Sequence, residues 1–164
     1  MKGDRWRVTG DMNEIESEAH MKSNDTADSA NRLESFGIYQ LARQAFDDFG
    51  ADSEILQKDF CGRDLAKQQV RSLDSICANM KEGLGRGFGK ELPQHLKISR
   101  GEARESRGRY ERCNHLLPSE TVAQRVAALS RIIGGLTKTI QTIETRARKP
   151  SNPVTRHPPP VTSK

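Results

Sequence analysis

Between residues 92 and 117, a small or apolar side chain occurs at every third or fourth position without a slip. These positions are Leu92, Leu96, Ser99, Ala103, Ser106, Tyr110, Cys113 and Leu117. An α-helix repeats every 3.6 residues, so this spacing places all of them on one helical face. The repeat predicts a helix from about Lys90 to Leu117. Pro93 fits its first turn, where a missing N–H has no partner to lose, and Pro118 stops it.

The same repeat predicts three more helices, which run from about Phe36 to Phe49, Asp64 to Lys81 and Ser119 to Arg148. Gly50 is expected to cap the first of them, before a connector around Ala51–Asp59, and Gly83 lies just past the end of the second. Their predicted core positions are Ile38, Ala42, Ala45 and Phe49; Val70, Leu73, Ile76 or Cys77, Met80 and Leu84; and Val122, Val126, Leu129, Ile133, Leu136, Ile140, Ile143 and Ala147. No strand pattern competes, so we predict an all-α fold, an antiparallel up-down-up-down four-helix bundle.

Composition divides the chain into three predicted parts. Residues 1–34 form a polar, acidic N-terminal extension that we expect to be disordered, residues 35–149 form the bundle, and residues 150–164 form a tail with five of the seven prolines. Charge is uneven: residues 1–57 carry 6 Lys and Arg against 12 Asp and Glu, whereas residues 58–164 carry 21 against 10. The basic second half suits a polyanion such as RNA, but it equally suits a solvated helical surface.

The cysteines and the apolar runs bear on location. Cys61, Cys77 and Cys113 are odd in number and unrelated in spacing, which indicates a reducing compartment, and they form no CxxC pair, so neither a zinc site nor a thioredoxin-like motif is available. No apolar run approaches the roughly 20 residues that span a bilayer, and the N-terminus has no hydrophobic signal segment. We therefore predict a cytoplasmic protein without membrane contact and without a cofactor.

The junction between the second and third helices carries a motif. Residues 75–86 read S-I-C-A-N-M-K-E-G-L-G-R. They resemble the S-I-x-x-N-I-x-E-G-x-G-R motif of the bacterial four-helix bundle proteins known as 23S rRNA intervening-sequence proteins. Glu91, residues 98–105 and residues 133–136 resemble later stretches of that family, so the resemblance covers about residues 35–148. Leu92, Pro93, His95, Arg100 and Arg104 depart from the family's pattern.

The resemblance implies properties that the residues alone do not. The family's members are similar to proteins that form pentameric rings of bundles, so the resemblance implies a homo-oligomer. The resemblance implies no catalytic residues. More distantly, the chain is similar to the accessory proteins of diversity-generating retroelements, which are basic and pentameric and are thought to bind nucleic acid and a reverse transcriptase.

A turn is the simplest interpretation of the motif. The predicted turn residues are Asn79, Glu82, Gly83, Gly85, Arg86 and Glu91. Gly83 can adopt a positive φ and Gly85 a tight reversal, while the polar side chains tie the turn together. The functional alternative makes Arg86 a phosphate contact.

Basic residues near the third helix are the candidates for nucleic-acid binding: Arg86, Lys97, Arg100, Arg104 and Arg107. The last three are spaced four and three apart, which places them on one ridge. Arginine suits phosphate because its fork can bind two oxygens. Acidic residues at positions 102, 105 and 111 could neutralise the ridge, so a solvated face or a subunit interface remains the alternative.

Enzyme chemistry finds little support. Glu91 with His95 and Glu111 with His115 are each four residues apart, but the two pairs are separated by about 30 Å of helix and cannot share a metal. We expect no catalytic residues and no metal. The sequence thus predicts a non-enzymatic, self-associating bundle that binds or scaffolds through a basic face. The alternative is an RNA- or DNA-binding accessory factor, for example a partner of a reverse transcriptase or of ribosomal RNA.

Overall fold

A computed structural model of the chain describes residues 33, 35–86, 89 and 91–148. This described part has no strand and contains four helices: α1 (Gly37–Leu56), α2 (Phe60–Gly85), α3 (Glu91–Arg112) and α4 (Ser119–Arg148). Helix α1 packs against α2 and α4, and α3 packs against the same two helices, whereas the backbones of diagonally opposite helices stay further apart. The prediction of an all-α four-helix bundle is confirmed.

One apolar core runs through the bundle and receives side chains from all four helices. Every core position predicted from the 92–117 repeat is buried, and Ser99, Ala103 and Ser106 are completely so. These three side chains are small, which allows α3 to lie close to its two neighbours. Cys113 belongs to the same core, and Cys77 packs against it, as small apolar side chains do.

Helix α1 continues past its predicted stop. Gly50 does not cap it, because the backbone stays helical as far as Leu56. A Cβ at Gly50 would meet no atom within 4 Å, so no close contact requires a glycine there either. Asp52 and Leu56 continue the three-four spacing from Phe49, and both are buried. The predicted connector Ala51–Asp59 therefore shrinks to residues 57–59.

Helix α2 begins earlier than predicted, at Phe60 rather than Asp64. Asp59 is its N-cap, and its carboxylate accepts a hydrogen bond of 2.8 Å from the backbone N–H of Gly62. A Cβ at Gly62 would collide with the carbonyl oxygen of Leu56, so a glycine suits this close junction of α1 and α2. Val70, predicted for the core, is exposed, and Gln69 is buried in its place.

The two remaining helices meet at a short turn. Helix α3 ends at Arg112 rather than at Leu117, since the backbone N–H groups of Cys113 and Leu116 donate to carbonyls three residues back, those of Tyr110 and Cys113, instead of four residues back as in an α-helix. Helix α4 has the predicted bounds. Within it, Ile132 rather than Ile133 lies deepest.

The predicted N-terminal extension and C-terminal tail lie outside the described residues, apart from Leu33, which is buried. Their predicted boundaries at residues 34 and 150 stay predictions. None of the described helices is apolar enough over a sufficient length to cross a bilayer.

Candidate functional site

Arg86 joins the end of α2 to the start of α3. Its Nε donates to Glu82 Oε1, and its Nη1 donates to Glu91 Oε2 at 3.0 Å. The hydrogen bond with Arg86 lowers the pKa of Glu82, and the bonds to Glu82 and Glu91 raise the pKa of Arg86. All three side chains are exposed, so these ion pairs contribute little stability. The Arg86 guanidinium is occupied by two carboxylates at the helix junction.

Gly83 has a packing role rather than the predicted turn role. It lies inside α2, its φ is outside the left-handed region, and α2 continues to Gly85. A Cβ on Gly83 would lie 2.8 Å from the Cβ of His95 and 3.1 Å from Cδ1 of Leu92, both on α3. Gly85 has no such neighbour within 4 Å. The prediction of a positive φ at Gly83 was wrong, because the residue is needed for close approach of two helices.

Asn79 reinforces the same end of the α2–α3 contact. Its Nδ2 donates to the carbonyl oxygen of Ser75 at 2.9 Å, and its Oδ1 lies 3.4 Å from Nδ1 of His95. One level further along, Ser99 Oγ donates to the carbonyl oxygen of Ile76 at 3.1 Å. The motif residues thus attach the first turns of α3 to α2.

The predicted basic ridge on α3 does not form a common surface. Lys97 Nζ forms an ion pair of 2.7 Å with Glu144 on α4, and Arg107 Nε lies 3.5 Å from Glu111. Arg100 Nη1 donates to Thr137 on α4 at 3.5 Å. These three cations are drawn toward partners on their own helix or on α4.

Arg104 differs from the other candidates, because it is exposed and has no ion-pair or hydrogen-bond partner among the described residues. It lines a shallow pocket between α2 and α3 together with Arg109 and Arg112. Of the five predicted nucleic-acid contacts, the structure therefore places one in an arginine cluster.

A buried charged network connects α1, α3 and α4. Asp52 of α1 is 2% exposed. Its carboxylate accepts hydrogen bonds from Tyr110 Oη at 2.7 Å and from Arg125 Nε at 2.9 Å. Arg125 Nη1 also donates to Asp48 at 2.8 Å. Burial and the hydrogen bond to Asp52 raise the pKa of Tyr110, and the bond to Asp52 raises the pKa of Arg125. This network holds three helices in one register.

A second polar layer connects α2 and α3. Gln69 Nε2 donates to Ser106 Oγ at 2.5 Å, and Arg109 Nη1 donates to Ser72 Oγ at 2.6 Å. Gln69, Ser72 and Ser106 are all buried. Polar residues at core positions must find partners, so this layer favours one alignment of the two helices over its shifted alternatives.

Comparison with known proteins decides the family. The family model described as 23S rRNA-intervening sequence protein matches residues 34–138, which are 105 of the 164 residues. The chain belongs to this family. No curated protein and no solved structure matches it. The match does not extend to the accessory proteins of diversity-generating retroelements, so that resemblance stays a prediction.

Within this family member, the histidines do not gather with other ligands. Among residues 33–148, as far as the structure describes them, no three His, Cys, Asp or Glu side chains are arranged to hold a metal ion. His95 lies against Asn79 and Gly83, and His115 is exposed in the turn after α3. The absence of catalytic residues stays a prediction.

Sequence reasoning missed the two buried polar layers of this intervening-sequence family member, although a signal was present. Asp52 stands three residues after Phe49 and four before Leu56, and Gln69 stands between Ala66 and Leu73 at the same spacings. A polar residue at a position that the apolar repeat requires is a candidate for a buried, partnered group.

Proposed function

We propose that the chain is a non-catalytic, self-associating four-helix bundle that serves as a binding or scaffolding protein. An apolar surface on α1 and α2 carries this proposal. Three of the large hydrophobic side chains that are exposed in the described part of the chain lie there: Phe46, Phe60 and Val70. Exposed apolar side chains gathered on one side of a soluble domain mark a protein–protein contact.

This surface contains both a groove and a protruding phenylalanine side chain. Phe46, Phe49, Ala66 and Val70 line the groove between α1 and α2. Phe60, which is 78% exposed, stands at the start of α2. The Phe60 side chain of one copy can fill the α1–α2 groove of a second copy. We therefore infer that a second copy of the chain occupies this groove. A contact of this head-to-tail kind closes into a ring when the rotation between copies permits, and the family resemblance implies five copies.

We also infer that the helices run up-down-up-down around the bundle. The supporting contacts are Ile76 with Ser99 and Gly83 with His95 between α2 and α3, and Asp52 with Arg125 and the Cβ position of Gly135 with Ile38 between α1 and α4. In both pairs of helices, the later residue of one helix meets the earlier residue of the other. That order is expected when neighbouring helices are antiparallel.

The non-catalytic part of the proposal is supported by how the buried polar groups are used. Asp52, Tyr110 and Arg125 satisfy one another, and none of the three lines the α1–α2 groove or the pocket between Phe36, Leu92 and Ile143. A network of this kind specifies helix packing.

The mass of the full chain in solution tests self-association. Sedimentation velocity at micromolar concentration is expected to give a multiple of 18.4 kDa, five-fold if the family resemblance holds. Phe46→Glu with Val70→Glu is expected to shift the protein to a lighter species, because two charges would enter the apolar groove. The matched control is Ile98→Glu, which is 40% exposed but lies on α3. A monomeric wild-type protein would overturn the proposal, and an assembly lost only in the control would place the interface elsewhere.

A further inference from the structure

A shallow pocket on the surface between α2 and α3 gathers positive charge. Its lining residues are Gln68, Arg104, Glu105, Gly108, Arg109 and Arg112. Arg104 and Arg112 are eight residues apart on α3, so their side chains leave the helix on the same side. Gly108 lies between them and has no side chain to fill the space. A Cβ on Gly108 would lie 3.6 Å from Nη1 of Arg112, which shows that this guanidinium reaches back over the glycine.

Two of the three arginines have their charge available. Neither Arg104 nor Arg112 has an ion-pair or hydrogen-bond partner in the part of the chain that the structure describes, and both are exposed. Every other basic side chain predicted to bind nucleic acid lies against a carboxylate or a hydroxyl. The pair thus presents two unneutralised guanidinium groups to one opening.

Arg109 supplies a third guanidinium, which is fixed in place. It donates to Ser72 Oγ at 2.6 Å and to Glu105 Oε2 at 2.9 Å. A guanidinium has five N–H groups, so these two bonds leave donors for a ligand. They also pair Glu105, the acidic residue of the pocket lining, with a cation. The pocket therefore carries a surplus of two positive charges around a positioned donor.

We propose that this pocket binds a phosphate group, with Arg104 and Arg112 as ion-pairing forks, Arg109 as the preorganised donor and the Gln68 amide as a neutral donor. Guanidinium forks match the paired oxygens of phosphate. The opening is shallow, so the phosphate can belong either to the backbone of a nucleic acid or to a small phosphorylated molecule. The site lies on α2 and α3, away from the α1–α2 groove, and it does not depend on self-association.

Fluorescence anisotropy with a labelled 20-nucleotide single-stranded RNA tests the nucleic-acid source, and calorimetric titration with inorganic phosphate tests the free one. Arg104→Ala with Arg112→Ala is expected to weaken RNA binding about tenfold and to reduce the slope of log K against log salt by about 1.4, which corresponds to two lost phosphate contacts on a single strand. The control is Arg131→Ala with Arg148→Ala, which removes the same charge from exposed residues of α4. It is expected to change the affinity less than about threefold.

The outcomes separate cleanly. Loss of binding confined to the Arg104 and Arg112 variant supports the site. Loss of RNA binding then identifies a nucleic acid as the source of the phosphate, and loss of binding to inorganic phosphate alone identifies a small phosphorylated molecule. Equal losses in both double variants mean diffuse attraction to net charge and overturn the site, as does a wild-type protein that binds neither probe at low salt. Circular dichroism verifies that all variants remain folded. Because the mass measurement does not involve these residues, failure of the phosphate site leaves the self-association proposal untouched.

Discussion

Replacing Arg125 with Met is expected to leave a buried carboxylate without its cation. In the native bundle, Arg125 donates to Asp52 from Nε at 2.9 Å and from Nη2 at 3.3 Å. After the substitution, Asp52 keeps the hydrogen bond from Tyr110 Oη at 2.7 Å. Met retains the aliphatic length of the Arg side chain, so the change tests the charge more than the packing.

The size of the effect follows from the burial of the two partners. Removing one member of a buried ion pair costs about 3–5 kcal/mol, because the other charge stays desolvated. The Arg125 side chain is 18% exposed, so water can reach the vacated position, and the lower end of that range applies. We expect the free energy of unfolding to fall by about 3 kcal/mol. With a denaturant dependence of about 1.5 kcal/mol per molar urea, the unfolding midpoint would fall by about 2 M.

Urea unfolding followed by far-ultraviolet circular dichroism measures this loss, at one fixed protein concentration because oligomer stability depends on concentration. Arg131→Met is the matched control, since Arg131 is exposed on the same helix, and its effect should stay within about 0.5 kcal/mol.

Removing the buried part of the network tests the cause. The triple variant Asp52→Leu, Tyr110→Phe and Arg125→Met leaves Asp48 as the one carboxylate of the network. The Asp48 side chain is 32% exposed and stays hydrated, so the variant should recover to within about 1 kcal/mol of the native stability. If the triple variant is as unstable as Arg125→Met alone, lost packing rather than an unpaired charge explains the effect, and the reasoning is refuted.

Two further predictions concern α2–α3 packing and alkaline pH. Gly83→Ala should destabilise the bundle by about 1–3 kcal/mol in thermal or urea unfolding, because the new Cβ would press on His95 Cβ at 2.8 Å. The control is Gly134→Ala, whose Cβ meets nothing within 4 Å and which should stabilise the bundle by up to about 1 kcal/mol. Equal effects of the two substitutions would contradict the close approach of α2 and α3 at Gly83. Burial and the bond to Asp52 raise the pKa of Tyr110, so above pH about 10 the unfolded state loses this proton while the folded state keeps it, and stability should fall with rising pH. Urea midpoints at pH 8 and 10.5 should fall less in Tyr110→Phe, and identical losses in both proteins would contradict the assignment.

Helical periodicity made much of the fold predictable. The unslipped repeat of residues 92–117 identified every buried position of α3 and of the turn after it, because burial of one face dictates that spacing. Stop signals were less reliable. Gly50 is a frequent C-cap residue, but an exposed glycine costs a helix only about 1 kcal/mol, and the burial of Asp52 and Leu56 beyond it offsets that cost.

Long polar side chains set the limit of prediction at the candidate sites. A spacing of four and three places Arg100, Arg104 and Arg107 on one ridge, yet a guanidinium extends far enough to reach a neighbouring helix or a neighbouring turn. Its partner therefore depends on which helix lies beside it and at what level. Arg100 reaches Thr137 on α4 and Arg107 lies against Glu111, whereas Arg104 faces the side of α2 that carries Gln68 instead of an acid.

The available charge on α3 is thus decided by the acidic residues of its neighbours. Where α4 offers Glu144, Lys97 is neutralised, and where the junction offers Glu82 and Glu91, Arg86 is neutralised. Binding of a polyanion requires cations whose own chain has not already paired them. In the part of the chain that the structure describes, Arg104 and Arg112 meet that requirement together in one pocket, which is why phosphate recognition is expected there and not at the glycine-containing junction.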